Sequence, residues 1–141
     1  MQPRPARVLV VTDGDGATEA VLDAIRRRAA RGPAQFRILV PNPAKAEFHL
    51  THPERHDKAA EAEWALRADL PRFEQAAAGQ VIGSVSIRHD PYHAVEELML
   101  SEPVEEVIVS IAPHRLNRRL HLDLPHRLRH FGLPITVLGG E

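Results

Sequence analysis

Apolar residues in this chain fall into short continuous runs that alternate with longer stretches of helical spacing. Arg7-Val8-Leu9-Val10-Val11 is the first run, rich in β-branched residues, as a strand buried on both faces requires. Val21, Leu22, Ile25 and Ala29 then share one face of a helix predicted over Ala17 to Arg31. Arg26-Arg27-Arg28 suits its later turns, where the dipole favours cations, and Gly32-Pro33 stops it. Gln35 to Val40 is a second strand, ended by Pro41-Asn42-Pro43. Thr51-His52-Pro53-Glu54 has the form of a capping box, with Thr51 as N-cap. The helix it opens runs to Ala78, with Ala59, Leu66, Leu70, Phe73 and Ala77 facing the core and Gly79 closing it. Pro71 predicts a kink or break near Asp69, and Trp64 lies off the apolar stripe.

Val81 to Ile87 alternates, with Val81, Val85 and Ile87 on one side and Ile82, Ser84 and Ser86 on the other. That is the pattern of a half-exposed edge strand. Asp90-Pro91 is an N-cap with proline at the first helical position, followed by Ala94, Val95, Leu98 and Met99 on one face. Val107-Ile108-Val109 is a fourth strand, with a long loop from Ser110 to His121 behind it. A last helix is expected over Asp123 to Phe131, with Gly132 at its C′ position, before the strand Ile135-Thr136-Val137-Leu138. The order β-α-β-α-β-α-β-α-β predicts a Rossmann-like α/β fold, a five-stranded parallel sheet with helices on both faces. In such sheets ligands sit at the strand C-termini where the chain order reverses. If the first and fourth strands are neighbours, the loops Thr12–Gly16 and Ser110–His121 form that crevice.

The whole chain, over residues 6–138, resembles a universal stress protein (UspA-like) domain. The first strand ends in Val11-Thr12-Asp13-Gly14, and the hydrophobic second strand ends at Val40. The tail EEVIVSIAPHRLNRRLHLDLPHRLRHFGLPITVL has the family's fourth strand, long loop, last helix and proline-initiated fifth strand. The resemblance implies strand order 3-2-1-4-5 and a homodimer. Nucleotide-binding members carry G-x-x-G, nine residues, then G-S or G-T, where glycine amides approach phosphates. On that spacing this chain has Ser110, Pro113, Asp123 and Leu124, so all three glycines are missing. Asp123 would set a carboxylate where phosphate sits, a repulsion of about 4 kcal/mol at ~4 Å and an effective dielectric near 20. The resemblance retains Asp13 and Val40, which in the family line the ribose and adenine side. Arg115, Arg118 and Arg119 could hold phosphate in a different geometry or be solvated loop charges. The candidate binding residues are therefore Thr12, Asp13, Val40, Ser110, Arg115, Arg118 and Arg119, with no cofactor expected and only weak AMP, ATP or phosphate binding.

The same residues suggest other chemistry. Asp13-Gly14-Asp15-Gly16 after a buried strand imitates the nucleophile loop of Mg²⁺-dependent phosphate-ester enzymes. That reaction wants a lysine and a second acidic pair on later strand ends. The two lysines, Lys45 and Lys58, are elsewhere, and the fourth strand ends in Ser110. A phosphoacceptor domain using Asp13 and Asp15 needs an aspartate after strand three, for which Asp90 is the candidate, and a lysine after strand five, where Leu138-Gly139 stands. His49, His52 and His56 could suit zinc, but Pro53 keeps them off one regular helix face, and they read as surface residues. His114, His121, His126 and His130 read as rim residues.

Composition narrows the classes further. No cysteine is present, so there is neither a disulfide framework nor a thiolate metal site. The net charge of −1 argues against bulk nucleic-acid affinity, although residues 111–130 carry five arginines and four histidines against one acid. The N-terminus lacks the apolar segment of a signal peptide, and no run approaches the ~18 residues of a membrane span. The expectation is a cytoplasmic, non-catalytic binding or regulatory domain, dimerising through the unprotected apolar edge at Ile135–Leu138.

Overall fold

The computed structural model describes residues 4–13, 17–41, 54–88, 90–110 and 118–138; for 54–58 and 118–123 it describes the backbone only. The elements alternate as β1 (Ala6–Thr12), α1 (Glu19–Ala30), β2 (Ala34–Val40), α2 (Glu54–Ala77), β3 (Val81–Val85), α3 (Pro91–Met99), β4 (Glu106–Ser110), α4 (Arg118–Arg129) and β5 (Ile135–Val137). The five strands form one parallel sheet in the order β3-β2-β1-β4-β5. This is the predicted α/β architecture.

Alternation along the central strands explains the continuous apolar runs. Val8 and Val10 of β1 enter one core, with Val21 and Ile25 of α1 and Leu66 and Phe73 of α2. Leu9 and Val11 enter the other, with Ala94 and Val95 of α3 and Leu124 and Leu128 of α4. Side chains alternate across a strand, so a strand covered on both faces must be apolar at every position. Helices α1 and α2 therefore share one face of the sheet, and α3 and α4 the other.

Several boundaries differ from the sequence expectation, each for a local reason. Helix α1 is capped by Thr18, whose hydroxyl accepts from the Val21 amide at 3.3 Å, so the helix starts later than Ala17, at Glu19. Helix α2 continues through Pro71 without a break. Pro71 is exposed, while Phe73 beyond it is wholly buried. Burial of such a side chain is worth about 1.5–3 kcal/mol, comparable to the ~3 kcal/mol cost of an interior proline. The expected cap at Thr51 lies outside the described residues.

The end of α2 is a Schellman turn: the Gly79 amide donates to the Glu74 carbonyl at 3.2 Å and the Ala78 amide to that of Gln75 at 3.3 Å. The left-handed position is consequently Ala78, with φ of 55°, and the glycine falls one residue late. At the end of α4 the match is right, since Gly132 itself has φ of 74°. Strand β3 stops at Val85, and Ile87 beyond it is exposed. Trp64 is 73% exposed, in keeping with its place off the stripe.

Helix α4 starts at Arg118 instead of Asp123. Leu120, Leu124 and Leu128 recur every four residues, and the latter two are buried, so the apolar stripe extends the helix one turn earlier. Pro125 lies inside it. The connection after β4 is correspondingly shorter than the loop Ser110–His121.

Candidate functional site

Strands β1 and β4 pair in parallel, with Thr12 opposite Ser110 at their C-terminal ends. The chain order reverses between these two strands, which is where open α/β sheets place their ligand crevice. Thr12 shares the sheet face of Val8 and Val10 and is buried; Ser110 shares the face of Ile108 and is half-buried. Two hydroxyl side chains thus stand side by side at the switch point, and half-buried Asp13 follows directly.

Val40 ends the neighbouring strand β2. Its side chain belongs to the core on the α1–α2 face, and its carbonyl accepts from the Ser86 amide at 2.8 Å. Arg118 and Arg119 open α4, the helix that follows β4, so they occupy a helix start and not a loop. No acid lies in that first turn. Asp123 falls inside α4, beyond its first turn. Leu124 beside it is a core residue. Arg115, Pro113 and Asp15 lie outside the described residues, as do His49, His52 and His114. The topology thus brings Thr12, Asp13, Val40 and Ser110 to one end of the sheet, with Arg118 and Arg119 heading the helix after β4.

Asp90 is the N-cap of α3: its carboxylate accepts from the Tyr92 amide at 2.9 Å. It therefore opens a helix and does not end β3, which removes it as the acidic partner of a phosphoacceptor site. Among the described residues no group of three or more His, Asp or Glu side chains is placed to hold a metal ion.

Two clusters were not legible in the sequence. The first joins α3 to α4. The Arg127 guanidinium lies 4.0 Å from the Tyr92 ring centroid and one of its nitrogens is 3.8 Å from the Asp90 carboxylate. Tyr92 also stacks on Phe131, with centroids 5.4 Å apart. The second is the ion pair of Arg28 with Glu106, joining α1 to β4. Only sequence separation hides them: Arg28 and Glu106 are 78 residues apart, and no local pattern couples such positions.

Comparison with known proteins agrees with this sheet topology. No protein-family model and no curated protein sequence matches the chain. Solved structures do. The universal stress protein UspA from Lactobacillus plantarum superposes with a TM-score of 0.66 at 18% identity, covering 96% of this chain and 97% of that one. A universal stress protein from Archaeoglobus fulgidus gives 0.61 at 10% identity, covering 94% and 92%. A hypothetical protein of known crystal structure gives 0.64 at 15% identity, covering 94% of each chain. From end to end, then, this chain has the fold of the universal stress proteins.

Proposed function

We propose that this chain is a universal stress protein-like binding or regulatory domain whose nucleotide site is degenerate, and that it is not an enzyme. The observation that carries the reading is the pairing of Thr12 with Ser110 at the switch point, in a sheet of universal stress protein order. A crevice in that place is suited to a ligand, yet the glycines that would bring amides to a triphosphate are missing from residues 110–124. Pro113 removes one further donor. What remains is hydroxyl and carboxyl chemistry from Thr12, Asp13 and Ser110, the end of β2 at Val40, and cations from Arg115, Arg118 and Arg119. Two arginines in the first turn of α4, with no acid beside them, oppose the helix dipole and favour a nearby anion. The ligand class is a small anion such as phosphate or AMP, bound weakly.

Isothermal titration with ATP, AMP and phosphate tests this. ATP should bind in the millimolar range or not at all. A micromolar or tighter constant would overturn the degenerate-site reading. Phosphate-class binding should weaken in Arg118→Ala and Arg119→Ala and with added salt. Phosphatase assays with Mg²⁺ should show no turnover that vanishes in Asp13→Asn; such turnover would restore the enzymatic alternative.

The same reading includes a cytoplasmic homodimer joined through β5. That strand is a sheet edge, and Val137 on it is 40% exposed. An apolar edge without charge or proline tends to pair with another chain, and a twofold axis would make the interface isologous. Sedimentation equilibrium should give a dimer for the wild type and a monomer for Val137→Lys. A monomeric wild type would sink the assignment. No helix among the described residues is long and apolar enough to cross a membrane.

A further inference from the structure

A cavity of about 160 Å³ opens at the opposite end of the sheet from the crevice, on the face of α3. Its floor includes Arg7 and Leu9 of β1, Arg37 of β2 and Ile82 of β3; Leu98 and Glu102 wall it from the end of α3. The volume is close to the ~150 Å³ that admits a benzene ring. Its charge is unbalanced. Two arginines line it against one carboxylate, Glu102. The next acids are turned elsewhere: Glu105 accepts from the Arg7 amide and pairs with Arg4, and Glu106 pairs with Arg28.

Arg37 is the centre of this site. Its Nη2 donates to the Ser84 hydroxyl at 3.0 Å and stands 3.4 Å from a Glu102 oxygen. Its Nε is buried without an acceptor, alone among the described buried side-chain nitrogens and oxygens. A buried donor left unpaired is costly, and the Nε–Nη2 edge of a guanidinium is the edge that takes a carboxylate in two parallel bonds. Glu102 reaches only Nη2, as an ion-pair contact at 3.4 Å. The apolar walls Leu9, Ile82 and Leu98 would take a flat or aliphatic body.

We propose that this cavity is a second ligand site, for a small carboxylate with an apolar body. The ligand carboxylate takes the Nε–Nη2 edge of Arg37, Glu102 swings out to solvent, and the apolar body lies between Ile82 and Leu98. Glu102 thus acts as a competing internal carboxylate.

The test is an amide NMR titration of the full chain with benzoate, using benzyl alcohol as the uncharged control. Benzoate should give saturable shifts at Leu9, Ile82 and Leu98. Arg37→Met should weaken it by roughly tenfold or more, the loss expected for a charge-assisted pair. Glu102→Gln should tighten it, because the competitor is gone. Benzyl alcohol should bind more weakly than benzoate by a similar factor. If Arg37→Met does not fold, Ile82→Trp, which fills the cavity from an exposed edge-strand position, should block binding instead. No saturable shift, shifts centred on Thr12 and Ser110, equal binding of the alcohol, or an unchanged constant in Glu102→Gln would each overturn the proposal.

Discussion

Arg28, in the last turn of α1, reaches Glu106 at the start of β4. Its Nε donates to both carboxylate oxygens, at 3.0 and 2.8 Å, and Nη2 stands 2.8 Å from Oε2. The side chains are 11% and 25% exposed, so this pair lies between the two limiting cases. Exposed pairs contribute roughly 0–1 kcal/mol, whereas removing one partner of a buried pair costs about 3–5 kcal/mol. Glu106→Gln keeps the shape and removes the charge, leaving a largely buried guanidinium. Arg31, 3.8 Å away, is too exposed to alter that balance. The expected loss is about 2 kcal/mol, with a fall in Tm of roughly 6–8 °C for a domain of this length. Urea unfolding should show a lower midpoint at unchanged slope. Arg28→Met combined with Glu106→Leu should recover most of the loss, because the cost comes from the orphaned charge and not from a missing contact. A single-variant loss under about 0.5 kcal/mol would refute the reasoning and rank the pair with ordinary surface pairs.

Three further outcomes follow from local geometry. A Cβ at Gly83 would come within 3.0 Å of Leu66 Cδ2, so Gly83→Val should destabilise by about 1–3 kcal/mol in thermal melts and be partly relieved by Leu66→Ala. Ala78 holds φ of 55° at an exposed helix end, so Ala78→Gly should stabilise by about 1 kcal/mol; a neutral or negative change would contradict the left-handed assignment. Asp90→Ala removes the cap of α3 and the carboxylate beside Arg127, and should cost about 1–2 kcal/mol, more than Asp90→Asn, by urea unfolding.

Fold class and element order were legible because burial on two faces leaves a direct mark. Val8 to Val11 and Val107 to Val109 are apolar at every position, and their helices carry single stripes. Caps were legible where one residue decides them, as at Asp90 and Gly132. Errors arose where the deciding term was not local. Pro71 reads as a breaker, but the buried Phe73 and Leu66 on either side of it hold the helix together. The last helix reads as starting near Asp123, but α4 begins at Arg118 and buries Leu124 and Leu128. Gly79 reads as the residue that closes α2, but the left-handed conformation falls at Ala78.

The candidate site was partly legible for the same reason. Strand ends carry Thr12, Val40 and Ser110, so naming the strands names these residues. That Thr12 and Ser110 are neighbours follows only from β1 and β4 pairing, a contact across 98 residues. The sequence by itself therefore determined which segments are strands and helices and which faces they bury, since these depend on composition and period. Tertiary structure alone decided which charges meet. Arg28 finds Glu106, Arg127 finds Asp90 and Tyr92, and Arg37 keeps an unpaired Nε, because packing two layers of helices on one twisted sheet brings together side chains that no local interaction couples.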